Sequence, residues 1–391
     1  MQTDIQDLLR RNPIPIVLLV DALIVSAYAL RASDIHVAPG THALLIRFRI
    51  DGHLIDAHQL PLTVHAEVIA RLKILAGLRT DEHQTAQDGR FRFEQEDKLI
   101  DIRVSIAPTY TGENAVLRLL PIVATAPSLS TLGFSEAQQT LIHKALARPY
   151  GMILTTGPTG SGKTTTLYTL LTQLAKRDVS VVTIEDPVEY ALEGITQIQT
   201  NERTGITFAG GLRSILRQDP DVLLVGEIRD TETARIATNA ALTGHQVLST
   251  LHANNAIAAF IRLRDLGVES YLLASTISLV IAQRLVRVNC THCVVPMFAD
   301  EATTALFDIT IYMRSGGCKQ CNGTGFSGRV GIFELLLVDS TIRDCIGDDD
   351  LETLLEVAIG SGSFVPLPVA GMHLVHEGIT TPEEVIRHMH E

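Results

Sequence analysis

The stretch MILTTGPTGSGKTTTLYTLLTQLAKR, residues 152–177, decides the fold of this chain. It begins with an apolar run typical of a buried strand and ends in a segment with helical spacing. Between them, GPTGSGKT at 157–164 fits the pattern G-x-x-x-x-G-K-[ST] in full. A strand, this loop and a helix in that order predict a phosphate-binding loop, and a purely structural glycine-rich turn is the alternative.

The loop offers several kinds of group that bind phosphate. Its glycines let backbone N–H groups turn inward, and the N-terminus of the following helix adds a favourable dipole. Lys163 is expected to reach the β- and γ-phosphates of a nucleotide, and Thr164 to ligate Mg²⁺. The predicted nucleotide-binding residues here are Gly157, Pro158, Thr159, Gly160, Ser161, Gly162, Lys163, Thr164 and Thr165.

Three further apolar runs, VSVVTIED, DVLLVGE and HQVLSTL, predict strands of the same parallel sheet. Glu185, Glu227 and His252 stand at the ends of these runs, where parallel sheets bind ligands. A single acidic residue there would more often be a helix cap or a solvated charge, but three polar ends beside the loop favour a site. We expect Glu185 to orient the attacking water and Glu227 to hold Mg²⁺, and the reverse assignment stays open.

The chain before the loop has the pattern of a small α+β domain. Residues 1–30 are predicted to be helical, and the apolar run Ile14–Leu30 is expected to pack on its own domain. RFRIDGHLI and RFRFEQEDKLIDIRV predict two hairpins, with Asp51-Gly52 and EQED at their turns. VHAEVIARLKILAGL, between the hairpins, has helical spacing. Pro, Ser and Gly from Ala126 onward predict a linker.

Composition narrows the class of protein. The chain has 391 residues, of which 46% are hydrophobic and 19% charged, so two or three packed domains are expected. Its net charge of −12 argues against broad binding of nucleic acid. The run at 14–30 contains Asp21 and is short for a membrane span, and the N-terminus is a poor signal peptide. We therefore expect a cytoplasmic protein.

Two C-x₂-C pairs predict a metal site. Cys290 and Cys293 are separated from Cys318 and Cys321 by 24 residues, which is close to a Cys₄ zinc pattern. Unliganded thiols and an iron–sulfur cluster are the alternatives, but four closely paired thiols favour structural zinc. Cys345 stands alone and is expected to be a small core residue.

Together these segments resemble the ATPases of type II secretion and type IV pilus assembly (GspE/PilB-like), from about Val17 to the C-terminus. The motifs that carry the resemblance are ASDIHVAP (32–39), RFRIDGHL (47–54), QDGRF (87–91), TGENAVLRLL (111–120), GPTGSGKTTTLY (157–168), IEDPVEY (184–190), LRQDPDVLLVGEIRD (216–230), ALTGHQVLSTLHANNA (241–256) and GITTPEEVIRH (378–388). Several long motifs match in order, which makes the resemblance specific.

The resemblance implies a PAS-like first domain, a RecA-like core and rings of six with nucleotide between the two domains. IEDPVEY corresponds to the family's Asp box, LLVGE to its Walker B motif and GHQVLSTLHA to its His box. His245 and His252 are then candidate nucleotide-site residues, with a structural hydrogen-bonding role as the alternative. The assembly-type members of the family carry a tetracysteine site, whereas the retraction-type members lack it.

Arginines meet a further need, because charge builds on the γ-phosphate oxygens during hydrolysis. We expect some of those in the first domain to close over the nucleotide, with surface solvation as the alternative for any one. The candidates are Arg47, Arg49, Arg90, Arg103 and Arg118 in the first domain and Arg213, Arg217 and Arg229 in the core.

The predicted fold class is α/β: a RecA-like P-loop core with a parallel sheet, preceded by a small α+β PAS-like domain and followed by a zinc-binding and helical region. The predicted boundaries are an N-terminal helical segment at 1–30, the PAS-like domain at 31–122, a linker at 123–134, the ATPase core at 135–289, the tetracysteine subdomain at 290–325 and a helical region at 326–391.

The expected function is that of a cytoplasmic, hexameric motor that hydrolyses ATP with Mg²⁺ to power type II secretion or pilus assembly. Its expected partners are the inner-membrane platform and docking proteins, which would hold it at the membrane periphery, with no direct contact to nucleic acid. About 30 residues precede ASDIHVAP, so the docking mode stays open. A DNA-uptake or DNA-transfer ATPase of the same superfamily and a nucleotide-dependent scaffold are the alternatives.

Overall fold

The computed structural model describes residues 5–95, 98–121, 126–348 and 350–389. The chain forms two compact units, Met1–Ala124 and Thr125–Glu391, named here the N-terminal unit and the C-terminal unit. Residues 123–125 of the predicted linker lie outside the described residues, and a short helix occupies part of the rest. In the described part of the chain, no helix has the length and apolar character needed to cross a bilayer.

The N-terminal unit is built on a six-stranded antiparallel sheet of order β3-β2-β1-β6-β5-β4. Its strands are β1 Asp34–Pro39, β2 Leu44–Ile50, β3 His53–Leu60, β4 Gln87–Gln95, β5 Lys98–Thr109 and β6 Gly112–Pro121. Its helices are α1 Ile5–Leu9, α2 Ile16–Ala29 and α3 His65–Ala76. The unit is thus α+β, as its sequence patterns predict, whereas its assignment as PAS-like stays a prediction.

Both predicted hairpins form. Strands β2 and β3 are joined by Asp51 (φ 48°) and Gly52 (φ 87°), the left-handed pair that matches the twist of a two-residue hairpin. Strands β4 and β5 form the second hairpin, and residues 96–97 of its predicted turn lie outside the described residues. Phe48 and Ile35 point into the core with Leu23 of α2, so the neighbouring polar side chains line the opposite face of the sheet.

The C-terminal unit contains a seven-stranded sheet of order β15-β12-β7-β11-β10-β8-β9 and a separate two-stranded ribbon, β13-β14. Its strands are β7 Gly151–Thr156, β8 Val181–Glu185, β9 Thr196–Gln199, β10 Val222–Val225, β11 Gln246–Leu251, β12 Ile277–Asn289, β13 Val294–Phe298, β14 Ile311–Ser315 and β15 Phe326–Leu337. Its helices are α4 Leu129–Leu132, α5 Glu136–Leu146, α6 Lys163–Leu174, α7 Phe208–Ile215, α8 Thr231–Leu242, α9 Ala256–Asp265, α10 Ser270–Thr276, α11 Glu301–Phe307, α12 Ser340–Gly347, α13 Leu351–Gly360, α14 Leu367–His376 and α15 Pro382–Met389.

The four strands predicted from apolar runs are β7, β8, β10 and β11, and all four pair in parallel at the centre of the sheet. Every residue of β7, β10 and β11 is buried, because helices cover both faces of the sheet. Their carboxyl ends therefore share one edge, and the phosphate loop follows β7 at that edge.

The predicted helical region from residue 326 is wrong at its start. Strand β15 pairs antiparallel with β12, and β12 pairs in parallel with β7, so the sheet is mixed and mostly parallel. The apolar run ISLVIAQRLV in β12 gives no period that separates a buried strand from a buried helix. The helices predicted for this region begin only after β15, with α12.

Candidate nucleotide site and cysteine centre

The phosphate loop is shaped by three glycines that lie in the left-handed region, Gly157 (φ 143°), Gly160 (φ 81°) and Gly162 (φ 89°). Gly157 also has no room for a side chain, since a Cβ there would lie 2.4 Å from the carbonyl oxygen of Gln283. Helix α6 begins at Lys163, so its free N–H groups face the loop. This is the strand–loop–helix arrangement that the sequence predicts.

Lys163 lies inside the loop. Its Nζ donates hydrogen bonds to the carbonyls of Gly157 (2.7 Å) and Pro158 (2.9 Å). Burial lowers the pKa of Lys163 to about 8, while the Glu227 carboxylate acts in the opposite direction and Arg284 in the same direction. An oppositely charged phosphate would favour the protonated form, so this ammonium is suited to bind an anion.

The loop also contains a buried hydroxyl group that a bound phosphate would satisfy. Among the described residues, the buried hydroxyl oxygen of Ser161 has no hydrogen-bond partner. A buried hydroxyl without a partner destabilises the fold, and a phosphate oxygen could accept a hydrogen bond from it. Gln283 holds the backbone beside it, with Nε2 donating to the Ser161 carbonyl at 2.7 Å. The loop thus offers hydroxyl, ammonium and N–H donors together.

Glu227 follows strand β10 and faces Lys163. The whole residue is 9% exposed. Its Oε1 lies 2.5 Å from Nη2 of Arg229, and its Oε2 lies 3.6 Å from Nε2 of His252. Burial and the charge of Lys163 lower the pKa of His252, against an opposing effect of Glu227. His252 is therefore largely neutral at pH 7. Lys163, Glu227, Arg229 and His252 form one cluster at the edge of the sheet where the phosphate loop lies.

Glu185 has a different environment. It is 3% exposed, and Tyr168 of α6 donates a short hydrogen bond to its Oε2. Its Oε1 accepts from Thr183 Oγ1 (2.6 Å) and from Gln197 Nε2 (3.1 Å). Its role in orienting water stays a prediction, and these three hydrogen bonds argue against that role.

Two residues that the sequence analysis did not single out support the loop from behind. Gln283 contacts Ser161, and the buried Arg284 donates to the Asn254 carbonyl (3.0 Å) after strand β11. Both lie on β12, whose place next to β7 was not predicted. Tyr168 and Gln197 were missed for a similar reason, because their partners come from separate elements.

His245 does not join the cluster of its own unit. It precedes β11, and its carbonyl accepts a hydrogen bond from Gly151 at the start of β7 (3.1 Å). The phosphate loop follows the other end of β7, so His245 lies at the opposite edge of the sheet. Its Nδ1 donates to the Ala240 carbonyl (3.0 Å), which is the structural role that the sequence analysis kept as the alternative.

The three core arginines also separate. Arg229 belongs to the cluster through Glu227, whereas Arg213 of α7 pairs with Glu232 of α8. Arg217 donates to the carbonyl of Arg213 (2.9 Å). These contacts of Arg213 and Arg217 do not reach the phosphate loop, so their place in a nucleotide site stays a prediction.

The arginines of the N-terminal unit lie on one face of its sheet. A row of residues crosses five neighbouring strands, and each member is directly opposite the next. The row, named here the arginine row, consists of Arg49 on β2, Asp34 on β1, Arg118 on β6, Arg103 on β5 and Arg90 on β4. Directly paired residues share a face.

The centre of the arginine row is fixed by one carboxylate. Asp34, 6% exposed, holds Arg118 with Oδ1 (3.1 Å to Nε) and Arg49 with Oδ2 (3.6 Å to Nε). Arg47, two residues before Arg49 on the same strand, lies on this face as well. The five arginines predicted for nucleotide binding thus share one surface of their unit.

The four predicted cysteines converge. Their Sγ atoms all lie within 4.8 Å of one another. The Sγ–Sγ distances are 3.9 Å for Cys290–Cys318, 3.9 Å for Cys293–Cys321 and 3.8 Å for Cys318–Cys321. A tetrahedral Zn²⁺ with Zn–S bonds of about 2.3 Å separates its sulfurs by about 3.8 Å. The cluster therefore fits a tetrahedral metal ion.

Backbone groups prepare this centre for thiolates. The N–H groups of Cys318 (3.1 Å) and Gly325 (3.2 Å) donate to Sγ of Cys321. Although burial opposes it, these hydrogen bonds and the neighbouring thiols lower the pKa of Cys321 to about 6. Gly317 (φ 94°) permits the tight turn, since a Cβ there would lie 2.5 Å from the Gly323 carbonyl oxygen.

The fold and the loop define a P-loop nucleotide-binding protein. Residues 10–387 match the family model described as Type II/IV secretion system protein, and the chain belongs to this family. It is 45% identical over 376 residues to the Type II secretion system protein E of Pectobacterium carotovorum, covering 95% of this chain and 75% of that protein. It is 43% identical over 388 residues to the Type II secretion system ATPase E of Vibrio cholerae, covering 98% and 77%.

Solved structures agree with this family. The pilus retraction motor PilT with bound ADP is 27% identical, with a TM-score of 0.66 over 94% of this chain and 96% of that one. The Legionella pneumophila ATPase DotB is 23% identical with a TM-score of 0.72, over 95% of each chain, and this likeness concerns the fold alone. The resemblance seen in the sequence motifs is thereby confirmed at the level of the family.

Proposed function

We propose that this chain is the ATP-hydrolysing motor subunit of a type II secretion system, or of the closely similar machinery that assembles type IV pili. The observation that carries the proposal is the cluster of Lys163, Glu227 and His252 at the rim of a complete phosphate loop. Because the chain belongs to a secretion-system family, we propose that the energy of ATP hydrolysis at this site drives transport.

The residues of the chain divide the work as follows. The loop N–H groups and the Lys163 ammonium bind the phosphates of ATP and neutralise their charge. Thr164 and Glu227 would hold Mg²⁺, which supplies further positive charge to the phosphate oxygens. We assign the orientation of the attacking water to Glu227 as well, since it lies beside Lys163 and His252. Water adds to the γ-phosphorus, the bond to the β–γ bridging oxygen breaks, and the water's proton leaves with phosphate or to solvent.

The arginine row offers a second source of positive charge. Arg90 and Arg103 extend the row beyond the pair that Asp34 holds, on the surface shared by all five arginines. We propose that this surface meets nucleotide phosphates when the chain assembles. Hydrolysis would then change how strongly this surface is attracted to the bound nucleotide and would drive motion.

Membership of the family supports a proposal for assembly and location. The proposed state is a homo-hexamer in the cytoplasm, held at the inner membrane by platform and docking proteins, with Zn²⁺ in the Cys₄ centre. The −12 net charge supports protein partners over direct nucleic-acid contact. The proposed domains keep the boundaries predicted from the sequence, with β15 added to the ATPase core.

Phosphate release from Mg·ATP by the purified chain tests the activity. We expect turnover that requires Mg²⁺ and is unaffected by DNA. In Thr164→Ala the rate should fall at least about a hundredfold. Stimulation by DNA would favour the DNA-transfer alternative. Equal rates for the wild type and Thr164→Ala would contradict the assignment of the site.

A further inference from the structure

A buried polar network connects the helix of the phosphate loop to the strand that carries Glu185. Tyr168 of α6 donates to Glu185, and burial together with that carboxylate raises the pKa of Tyr168, so the hydroxyl stays a donor. Gln197 of β9 donates to the same carboxylate at 3.1 Å. Thr183 completes the set at 2.6 Å.

The network also fixes the segment Asp186–Tyr190, which follows Glu185. The hydroxyl oxygen of Tyr168 accepts the N–H of Glu189 at 3.2 Å. Gln197 donates to the Tyr190 carbonyl at 3.2 Å and accepts the N–H of Leu192 at 2.7 Å. The rings of Tyr168 and Tyr190 pack edge to face, with centroids 4.8 Å apart. The segment is therefore held to α6 and β9 at several points.

These contacts leave Glu185 poorly placed to act on water. Its two oxygens accept three hydrogen bonds, and the residue is 3% exposed. Glu227, by contrast, faces Lys163 and His252 at the rim. Since the side chain is buried and three of its roughly four acceptor positions are occupied, a water molecule has little access to this carboxylate.

We propose that Tyr168 and Glu185 are positioning residues: through Gln197 they hold the segment Asp186–Tyr190 against the phosphate-loop helix, and neither touches the attacking water. The segment directly follows β8 and contains Asp186 and Glu189. Its placement therefore decides where these two carboxylates lie at the carboxyl edge of the sheet. The inference rests on the proposed function for its effect on turnover, and on geometry alone for its effect on the segment.

Tyr168→Phe is the first test, with Tyr271→Phe, an exposed tyrosine on α10, as the matched control. Tyr168→Phe removes the acceptor of the Glu189 N–H. Hydrogen exchange measured by mass spectrometry should therefore speed up about tenfold or more at 186–192 and stay unchanged in β7. The rate of ATP turnover at saturation should fall about tenfold, with KM changed less than about threefold. Tyr271→Phe should match the wild type in both.

A swap of the two partners separates positioning from direct action. Glu185→Gln should lower turnover, and Glu185→Gln combined with Gln197→Glu should recover about tenfold, because the amide–carboxylate pair is restored in reverse. A carboxylate needed for the water could not be replaced from position 197.

The outcomes distinguish this inference from the proposed function. Faster exchange at 186–192 in Tyr168→Phe supports the inference even if the wild type shows no Lys163-dependent turnover, a result that would overturn the proposed function alone. Unchanged exchange in Tyr168→Phe overturns the inference. So does a double variant as inactive as Glu185→Gln beside a fully active Tyr168→Phe, since Glu185 would then act on the water itself.

Discussion

Glu227 and Arg229 form an ion pair, with Oε1 of the glutamate 2.5 Å from Nη2 of the arginine. The glutamate side chain is 11% exposed and the arginine 64%, so the pair spans from the floor of the site to solvent. His252 approaches the other oxygen at 3.6 Å. A carboxylate so placed lies beside Lys163 at the edge of the sheet where the phosphate loop begins.

Glu227→Gln is expected to bind Mg·ATP and to hydrolyse it at least about a hundredfold more slowly, because the neutral amide orients the attacking water and holds Mg²⁺ less strongly than a carboxylate does. Nucleotide binding by calorimetry and phosphate release measure the two effects. The matched control is Glu232→Gln, which removes an exposed carboxylate paired with Arg213. A Glu227→Gln rate within a few-fold of the wild type would contradict this role.

The affinity for Mg·ADP should fall as pH rises through about 8, the pKa to which burial lowers Lys163. Below that pH the free protein already carries the charged ammonium. Above it, phosphate binding must recruit a proton, which weakens binding by at most about tenfold per pH unit. Calorimetry between about pH 7.5 and 9.5, in buffers of different ionisation enthalpy, measures affinity and proton uptake. Lys163→Arg should lose the pH dependence; a flat wild-type profile would be inconsistent with the lowered pKa.

Arg90→Ala is expected to lower turnover at saturating ATP by about tenfold or more if the arginine row meets nucleotide phosphates. Arg92→Ala is the control on the same strand and face. Arg92 pairs with Asp101 (2.8 Å) and lies outside the arginine row. Equal turnover in both variants would remove Arg90 from the site.

Zinc removal should unfold the cysteine centre while the parallel sheet persists. Structural zinc sites contribute roughly 10–16 kcal/mol of apparent binding energy, so loss of the ion is expected to unfold the turns that carry the four cysteines. Elemental analysis should find one zinc per chain in the wild type and in Cys345→Ser, and none in Cys318→Ser/Cys321→Ser. Hydrogen exchange should rise across 290–325 in the double variant only. Full protection there without metal would count against a structural role.

Much of the candidate nucleotide site followed from local pattern. The phosphate loop, its strand and its helix are contiguous in sequence, and Glu227 and His252 meet because parallel strands share a carboxyl edge. The four cysteines were equally predictable from spacing. The position of His245 could also have been predicted, because it precedes its strand and must lie at the opposite edge of the sheet. It became a candidate only because of the resemblance to the family's His box.

What could not be predicted depends on pairing between distant segments. Strand β15 joins the core sheet from beyond the cysteine centre, and its partner β12 is an apolar run without a clear period. Gln283 and Arg284 support the loop only because β12 lies next to β7. Two of the three hydrogen bonds that Glu185 accepts likewise come from Tyr168 and Gln197, which no spacing rule brings together.

The most direct test of the central claim is the rate of Mg·ATP hydrolysis per subunit across a range of protein concentrations, with Lys163→Ala as the control. A motor whose sites are completed by assembly should show a rate that rises with concentration and disappears in Lys163→Ala, which lacks the ammonium within the loop. Hydrolysis that persists in Lys163→Ala would contradict the account, because turnover would then not arise at the phosphate loop.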